Sequence, residues 1–156
     1  MKVISVDGRI LLVRMKNTLG FISPVAVYAP TARSGLEEKE MFYTKLDLTG
    51  VLVDFNAVTG TDREGYELRI GPYGSGTRNI NSSYLLDFAR SGRLRIEGSW
   101  YQRRDLHRWT WYSNTGVVAK EIDHIPVDTR WRILQNCRAF RSAEFFATDH
   151  RLVVQH

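Results

Sequence analysis

The order of short apolar runs constrains the fold of this chain more than any other feature. Strand-like stretches recur at 9–14, 19–28, 51–54, 94–100, 109–112, 121–127, 131–141 and 150–154, whereas just two segments carry a helical period. Many short runs of this kind, separated by turns with few helices between them, predict packed sheets flanked by helices. Asp7-Gly8 marks the first turn, and 16–18 joins the first two runs. Pro30 drives Ala29 out of the α region and leaves Tyr28 at a strand terminus. Ser34-Gly35-Leu36-Glu37 has capping-box spacing, and Leu36, Met41, Phe42 and Leu46 supply an apolar stripe, so a helix is expected there. A second helix is expected over 83–90, capped by Asn81 or Ser82, with Leu85, Leu86, Phe88 and Ala89 facing a core and Gly92 beyond its end. The glycine-rich stretch 60–76 reads as a long loop inside one domain.

At 156 residues, 43% of them hydrophobic, the chain can bury one sizeable core. Its 22 basic and 17 acidic residues give a net charge of +5 without a block of either sign. That predicts a folded domain with a basic surface, which draws nucleic acid, phosphorylated small molecules or anionic membrane surfaces. No run of eighteen apolar residues occurs, so no membrane span is expected, and Asp7-Gly8-Arg9 interrupts the start too early for a signal peptide. The single Cys137 excludes an intrachain disulfide and fits an intracellular setting, nuclear or cytoplasmic, as a buried side chain. Trp100, Trp109, Trp111 and Trp131 suit core packing, with base stacking as the alternative. Arg103, Arg104 and Arg108 form either a phosphate-contacting patch or a solvated face.

Three polar clusters interrupt the apolar runs. An ionised Asp at the end of a buried strand is unfavourable unless it is hydrogen-bonded, paired or beside a metal. Asp54-Phe55-Asn56, Glu121-Ile122-Asp123-His124 and Thr148-Asp149-His150 each place a carboxylate at such a point, and the period of two sets Glu121 and Asp123 on one face. Each also has a plain structural reading: a turn capped by Asp54 and Asn56, a solvated edge-strand face, and a hydrogen-bonded turn before 152–154. With Tyr28 and Thr110-Trp111 at two further strand ends, they supply what phosphodiester cleavage needs. Those needs are oxygen ligands for a hard cation, an imidazole, and neutral donors for phosphate oxygens.

Val27-Tyr28-Ala29-Pro30-Thr31, Asp54-Phe55-Asn56-Ala57, Thr110-Trp111, Glu121-Ile122-Asp123-His124-Ile125 and Thr148-Asp149-His150-Arg151-Leu152-Val153 occur in that order. Together they resemble the endonuclease/exonuclease/phosphatase superfamily, in particular its retrotransposon-type endonuclease branch, from about Gly8 onward. The resemblance implies an α/β fold: a four-layered α/β sandwich of two mostly antiparallel sheets flanked by helices. It is expected here in partial form, as one domain over residues 1–156 lacking the family's N-terminal strands.

The resemblance also implies roles. Tyr28 and Thr110 would contact phosphate, Asp54 would orient or activate the attacking water, and Asn56 would hold the scissile phosphate. His150 would act on the phosphate or in acid–base chemistry with Asp123 fixing its ring, and Asp149 would support Mg²⁺ or Mn²⁺. The implied substrate is nucleic acid, DNA ahead of RNA. The family draws an Asn and its principal metal-binding Glu from its first strands, for which this sequence has no counterpart; no Glu precedes Glu37. Fewer carboxylates hold Mg²⁺ less tightly. The expectation is therefore a phosphodiesterase or endonuclease domain with a weakly bound metal and impaired hydrolysis. The alternative is a non-catalytic remnant that binds nucleic acid or a protein partner.

Overall fold

In a computed structural model of the chain, residues 2–17, 20–22, 25–46, 51–130, 136–140 and 148–155 are described. The first half forms β1 (Lys2–Asp7), β2 (Ile10–Asn17), β3 (Gly20–Ile22), β4 (Val25–Tyr28), α1 (Leu36–Lys45), β5 (Val51–Asp54) and α2 (Ile80–Ser91). The second half is built from shorter pieces: β6 (Leu94–Ile96), β7 (Trp111–Tyr112), β8 (Ala119–Lys120), β9 (Asp123–His124), β10 (Pro126–Asp128), β11 (Cys137–Phe140) and β12 (Leu152–Gln155). Two 3-10 turns, Glu97–Trp100 and Asp105–His107, follow β6.

One six-stranded sheet runs β1-β2-β4-β5-β9 with β3 attached to β2, and β6–β10, β7–β8 and β11–β12 form two-stranded ladders. Among the described strands every pairing is antiparallel except β4–β5. A parallel neighbour requires a crossover, and the connection through α1 supplies it. Among the described residues the result is a mixed α/β fold of mostly antiparallel ladders and two α-helices.

The β4–β5–β9 register decides where the polar strand ends go. Tyr28 lies opposite Asp54, and Asp54 lies opposite Asp123. Residues separated by nearly a hundred positions thus stand in one row across three strands. Behind them, Ile10, Val27 and Ala29 of the sheet pack with Phe42 and Leu46 of the α1 region, Leu85 and Ala89 of α2, and Phe55 and Ile96. Each such side chain contributes about 1.5–3 kcal/mol when fully buried. Phe55, with no exposed surface, is the hub; truncation to Ala is expected to remove about 3–5 kcal/mol.

The helices differ from the sequence expectation in their ends. Ser34 does not cap α1; Gly35 occupies the N-cap position without a side-chain hydrogen bond. Glu38, rather than Glu37, then sits at the third helical position, and its Oε1 is taken at 2.6 Å by Arg9 across the fold. Leu36 and Met41 point outward, at 62% and 52% exposure, while Phe42, Leu46 and the stem of Lys39 are buried. The Lys39 ammonium escapes its apolar surroundings by donating to the Ala32 carbonyl at 3.0 Å. α2 begins earlier than expected because Asn79 is its cap: Oδ1 accepts from the Ser82 amide at 3.0 Å, and Ser82 Oγ accepts from the Asn79 amide at 2.9 Å. Leu85, Leu86 and Ala89 are buried and Gly92 closes the helix, as its sequence pattern implies.

Two expected strands are interrupted for identifiable reasons. The run 94–100 turns into a 3-10 helix at Glu97, a fully buried carboxylate held by Arg95 at 2.7 and 2.8 Å and by the Tyr101 hydroxyl at 2.5 Å. The run 121–127 divides at Ile125: β9 pairs with β5, while β10 pairs with β6. Ile125 itself gives its carbonyl to the Glu97 amide at 3.0 Å, which fastens the crossover between sheets. Of 109–112, Trp111–Tyr112 is strand. The expected strand 131–141 is described at Cys137–Phe140, and Trp131 lies outside the described residues. Cys137 is buried, which pushes its thiol up to about 12 and makes it a packing residue. In the 60–76 loop, a Cβ on Gly74 would lie 2.1 Å from the Gly60 carbonyl oxygen, so this backbone approach accepts only glycine. No helix among the described residues is long and apolar enough to cross a membrane.

Candidate active site

The site grows from two turns and one two-stranded ladder. At the end of β5, the Asp54 carboxylate accepts from the Asn56 amide at 2.8 Å through Oδ1 and from Asn56 Nδ2 at 3.3 Å through Oδ2. Asn56 adopts φ +49° to make this turn, a left-handed conformation that Asn tolerates better than most residues. Asp54 and Asn56 therefore form the Asp-centred turn read from sequence, and the same turn presents them at the edge of the sheet. Tyr28, 49% exposed, stands beside them with the Arg9 guanidinium over its ring at 5.6 Å.

Thr110 joins the other two motifs. Its hydroxyl oxygen accepts from the Ile122 amide at 3.0 Å and the Asp123 amide at 3.1 Å. Its carbonyl accepts from the Arg151 amide at 2.7 Å. Trp111 continues the join, donating through Nε1 to Asp149 Oδ2 at 2.7 Å and bridging to His150. With Thr110 only 2% exposed, its hydroxyl is occupied by backbone amides rather than available to phosphate as expected. It sets the spacing of Asp123 and His150.

His150 Nδ1 lies 3.2 and 3.1 Å from the two Asp123 carboxylate oxygens, and its Nε2 lies 3.9 Å from Asp54 Oδ2. An ionised carboxylate only accepts, so Nδ1 carries the proton of the Asp123 bond and Nε2 faces the Asp54 side. The hydrogen bond to Asp123 holds the imidazole above its ordinary pKa, against the opposing effect of partial burial. Burial pushes the Asp54 carboxyl up to about 6, Asp123 adds to the rise, and the Asn56 amide and His150 oppose it. The Asp54 carboxyl is thus shifted towards the neutral range, and the imidazole beside it is held in its charged form more firmly than a free histidine.

Asp54, Asp123 and His150 offer ligand atoms within 4.8 Å of one another. Two carboxylates whose mutual repulsion raises one of them suit a hard divalent cation, which would relieve that repulsion. Asp149, expected at the metal, is outside this cluster and exposed, its Oδ2 engaged by Trp111. Arg103 is likewise not a free phosphate contact. Its side chain is 6% exposed and Nη2 meets Glu121 Oε1 at 2.8 Å, while Arg104 is exposed and Arg108 half-buried. Glu121 and Asp123 accordingly serve different partners, Arg103 and His150, instead of forming one acidic face. Trp100 is half-buried, flanked by the Arg63 and Arg95 guanidinium groups.

Comparison with solved structures decides the fold. The chain matches the endonuclease domain of TRAS1, a telomere-specific non-LTR retrotransposon, with a TM-score of 0.61 at 15% identity, over 94% of this chain and 60% of that one. This is an endonuclease-type fold. By sequence, the chain is 27% identical to craniofacial development protein 2 of Bos taurus over 95% of its own length and 26% of that protein. The protein of the same name from Tragulus javanicus is 26% identical over 95% of this chain and 27% of its own length. The chain thus spans about a quarter of these curated relatives. No protein-family model matches it. Within the endonuclease fold, the row Tyr28, Asp54, Asp123 and the facing His150 occupy one end of the six-stranded sheet.

Proposed function

We propose that residues 1–156 act as one divalent-metal-dependent phosphodiesterase domain that hydrolyses nucleic acid, DNA in preference to RNA, in the nucleus or cytoplasm. The observation that carries this reading is the Asp123–His150 pair beside Asp54, a carboxylate with a pKa of about 6. Asp54 orients the attacking water and takes its proton as the water oxygen bonds to phosphorus. The Tyr28 hydroxyl holds one non-bridging phosphate oxygen, and Asn56 Nδ2 exchanges its two long 3.3 Å contacts, with Asp54 Oδ2 and the Ala29 carbonyl, for another. The His150 imidazolium, its ring oriented and its charge supported by the Asp123 carboxylate, balances the negative charge that builds on those oxygens. The phosphorus–oxygen bond opposite the water then breaks. Mg²⁺ or Mn²⁺ held by the Asp54 and Asp123 carboxylates, with Asp149 adding negative charge nearby, would supply charge stabilisation at the leaving oxygen.

The test is nicking of supercoiled plasmid in the presence of Mg²⁺ or Mn²⁺. Asp54→Ala and His150→Ala are each expected to reduce the rate by about 10²–10⁴-fold. Cleavage that persists unchanged in both variants would sink the assignment. The net charge of +5 favours a second reading, binding without cleavage. Its signature is wild-type protein that retains plasmid at low salt, releases it steeply as salt rises, and never nicks it.

A further inference from the structure

Asn81 carries the argument beyond the residues that face the substrate. It lies in the first turn of α2, is 2% exposed, and its side-chain nitrogen faces carbonyl oxygens of both site turns. Nδ2 is 2.9 Å from the Pro30 oxygen, 3.3 Å from the Asn56 oxygen and 3.5 Å from the Phe55 oxygen. Its Oδ1 is buried with no hydrogen-bond partner among the described residues. The orientation of the amide therefore rests on donation alone, since a flipped amide would set oxygen against three oxygens. A buried acceptor left unpaired is unfavourable, and an apolar residue would avoid it.

Asn56 needs such a clamp. At φ +49° it holds a conformation that persists in a non-glycine residue only when its surroundings over-determine it. Its carbonyl is gripped by Asn81 and, at 3.0 Å, by Asn79 Nδ2. The Phe55 carbonyl and the Asn56 amide belong to one peptide plane, so drawing the oxygen towards α2 turns the N–H towards Asp54 Oδ1. Asn56 Nδ2 in turn reaches the Ala29 carbonyl at 3.3 Å, beside Tyr28.

We propose that Asn81 is a positioning residue that locks the turns after β4 and β5 together and so aims Asn56 and Asp54. This rests on the phosphodiesterase reading for its catalytic consequence, whereas its structural part is readable without cleavage. Native-state hydrogen exchange followed by NMR is the experiment. Asn81→Leu roughly keeps the volume and removes both donor hydrogens; Asn81→Ala serves if the branched side chain prevents folding. In either variant the Asn56 amide is expected to exchange roughly 10-fold faster or more, with the Gly92 amide at the far end of α2 unchanged. Plasmid nicking should lose about 10-fold in kcat with KM unchanged, because misaligned groups still bind substrate. Unaltered exchange at Asn56, faster exchange spread evenly along α2 to Gly92, or an unchanged kcat overturns the proposal. If the wild type does not nick, the phosphodiesterase reading falls separately, and the exchange pattern still decides whether Asn81 holds the turns.

Discussion

Glu121 and Asp54 are both carboxylates withdrawn from water, with side chains 4% and 10% exposed, and the fold treats them in opposite ways. Glu121 receives Arg103 at 2.8 Å on one oxygen and the Ser75 hydroxyl at 2.7 Å on the other. Its charge is balanced by the guanidinium. Asp54 instead faces Asp123, His150 and Asp149, and is pushed up to about 6 by burial and by its acidic neighbour. A carboxylate that serves the scaffold is neutralised, and one that serves a site is left in need of a proton, a cation or a substrate group.

The largest effect should come from unpairing the scaffold acid. Arg103→Met strands Glu121 as a buried uncompensated charge, and denaturant unfolding is expected to show a loss of about 3–5 kcal/mol. A loss under ~1 kcal/mol would mean that Ser75 and water suffice, and the contrast drawn above would fail. The site acid should respond to a cation. Mg²⁺ at about 100 times its Kd is expected to stabilise the wild type by ~2.7 kcal/mol in thermal unfolding, and to leave Asp54→Asn close to unaffected. An equal response in both proteins would place the ion elsewhere.

The pH dependence sharpens the same contrast. A folded carboxyl held at about 6, above its ordinary 3.8, favours the protonated form. The associated stability is complete below the unfolded pKa and is lost as pH rises through 6. Asp54→Asn cannot ionise. In metal-free buffer it should match the wild type near pH 4 and exceed it by about 1–3 kcal/mol near pH 8, at ~1.4 kcal/mol per pH unit. A variant that is less stable at both pH values would show Asp54 to be scaffold rather than site. The smallest effect concerns a neutral group: the Tyr43 hydroxyl is buried without a hydrogen-bond partner among the described residues, in a ring cluster with Tyr84, Phe55 and Phe88. Tyr43→Phe should raise stability by about 1 kcal/mol, measurable as a higher Tm.

What the sequence alone determined is the local part of this protein. The apolar runs, the Asp54–Asn56 turn, the Pro30 stop after Tyr28 and the apolar face of α2 each depend on residues within a few positions of one another, which is the range over which periodicity and turn chemistry act. The candidate residues Tyr28, Asp54, Asn56, Asp123 and His150 were legible as polar groups at strand ends. Tertiary structure decided their partners. Register put Tyr28, Asp54 and Asp123 in a row. The occupation of the Thr110 hydroxyl by amides from 122 and 123, of Asp149 by Trp111, and of Arg103 by Glu121 each spans ten or more positions. The α1 cap also departs from the local pattern: Gly35 occupies it, and Glu38 at the third helical position pairs instead with Arg9 in a distant strand-turn. A hydrogen-bonding side chain states what it can donate or accept, and only the packed fold, by bringing particular groups within about 3 Å and excluding water, selects which of those bonds is made.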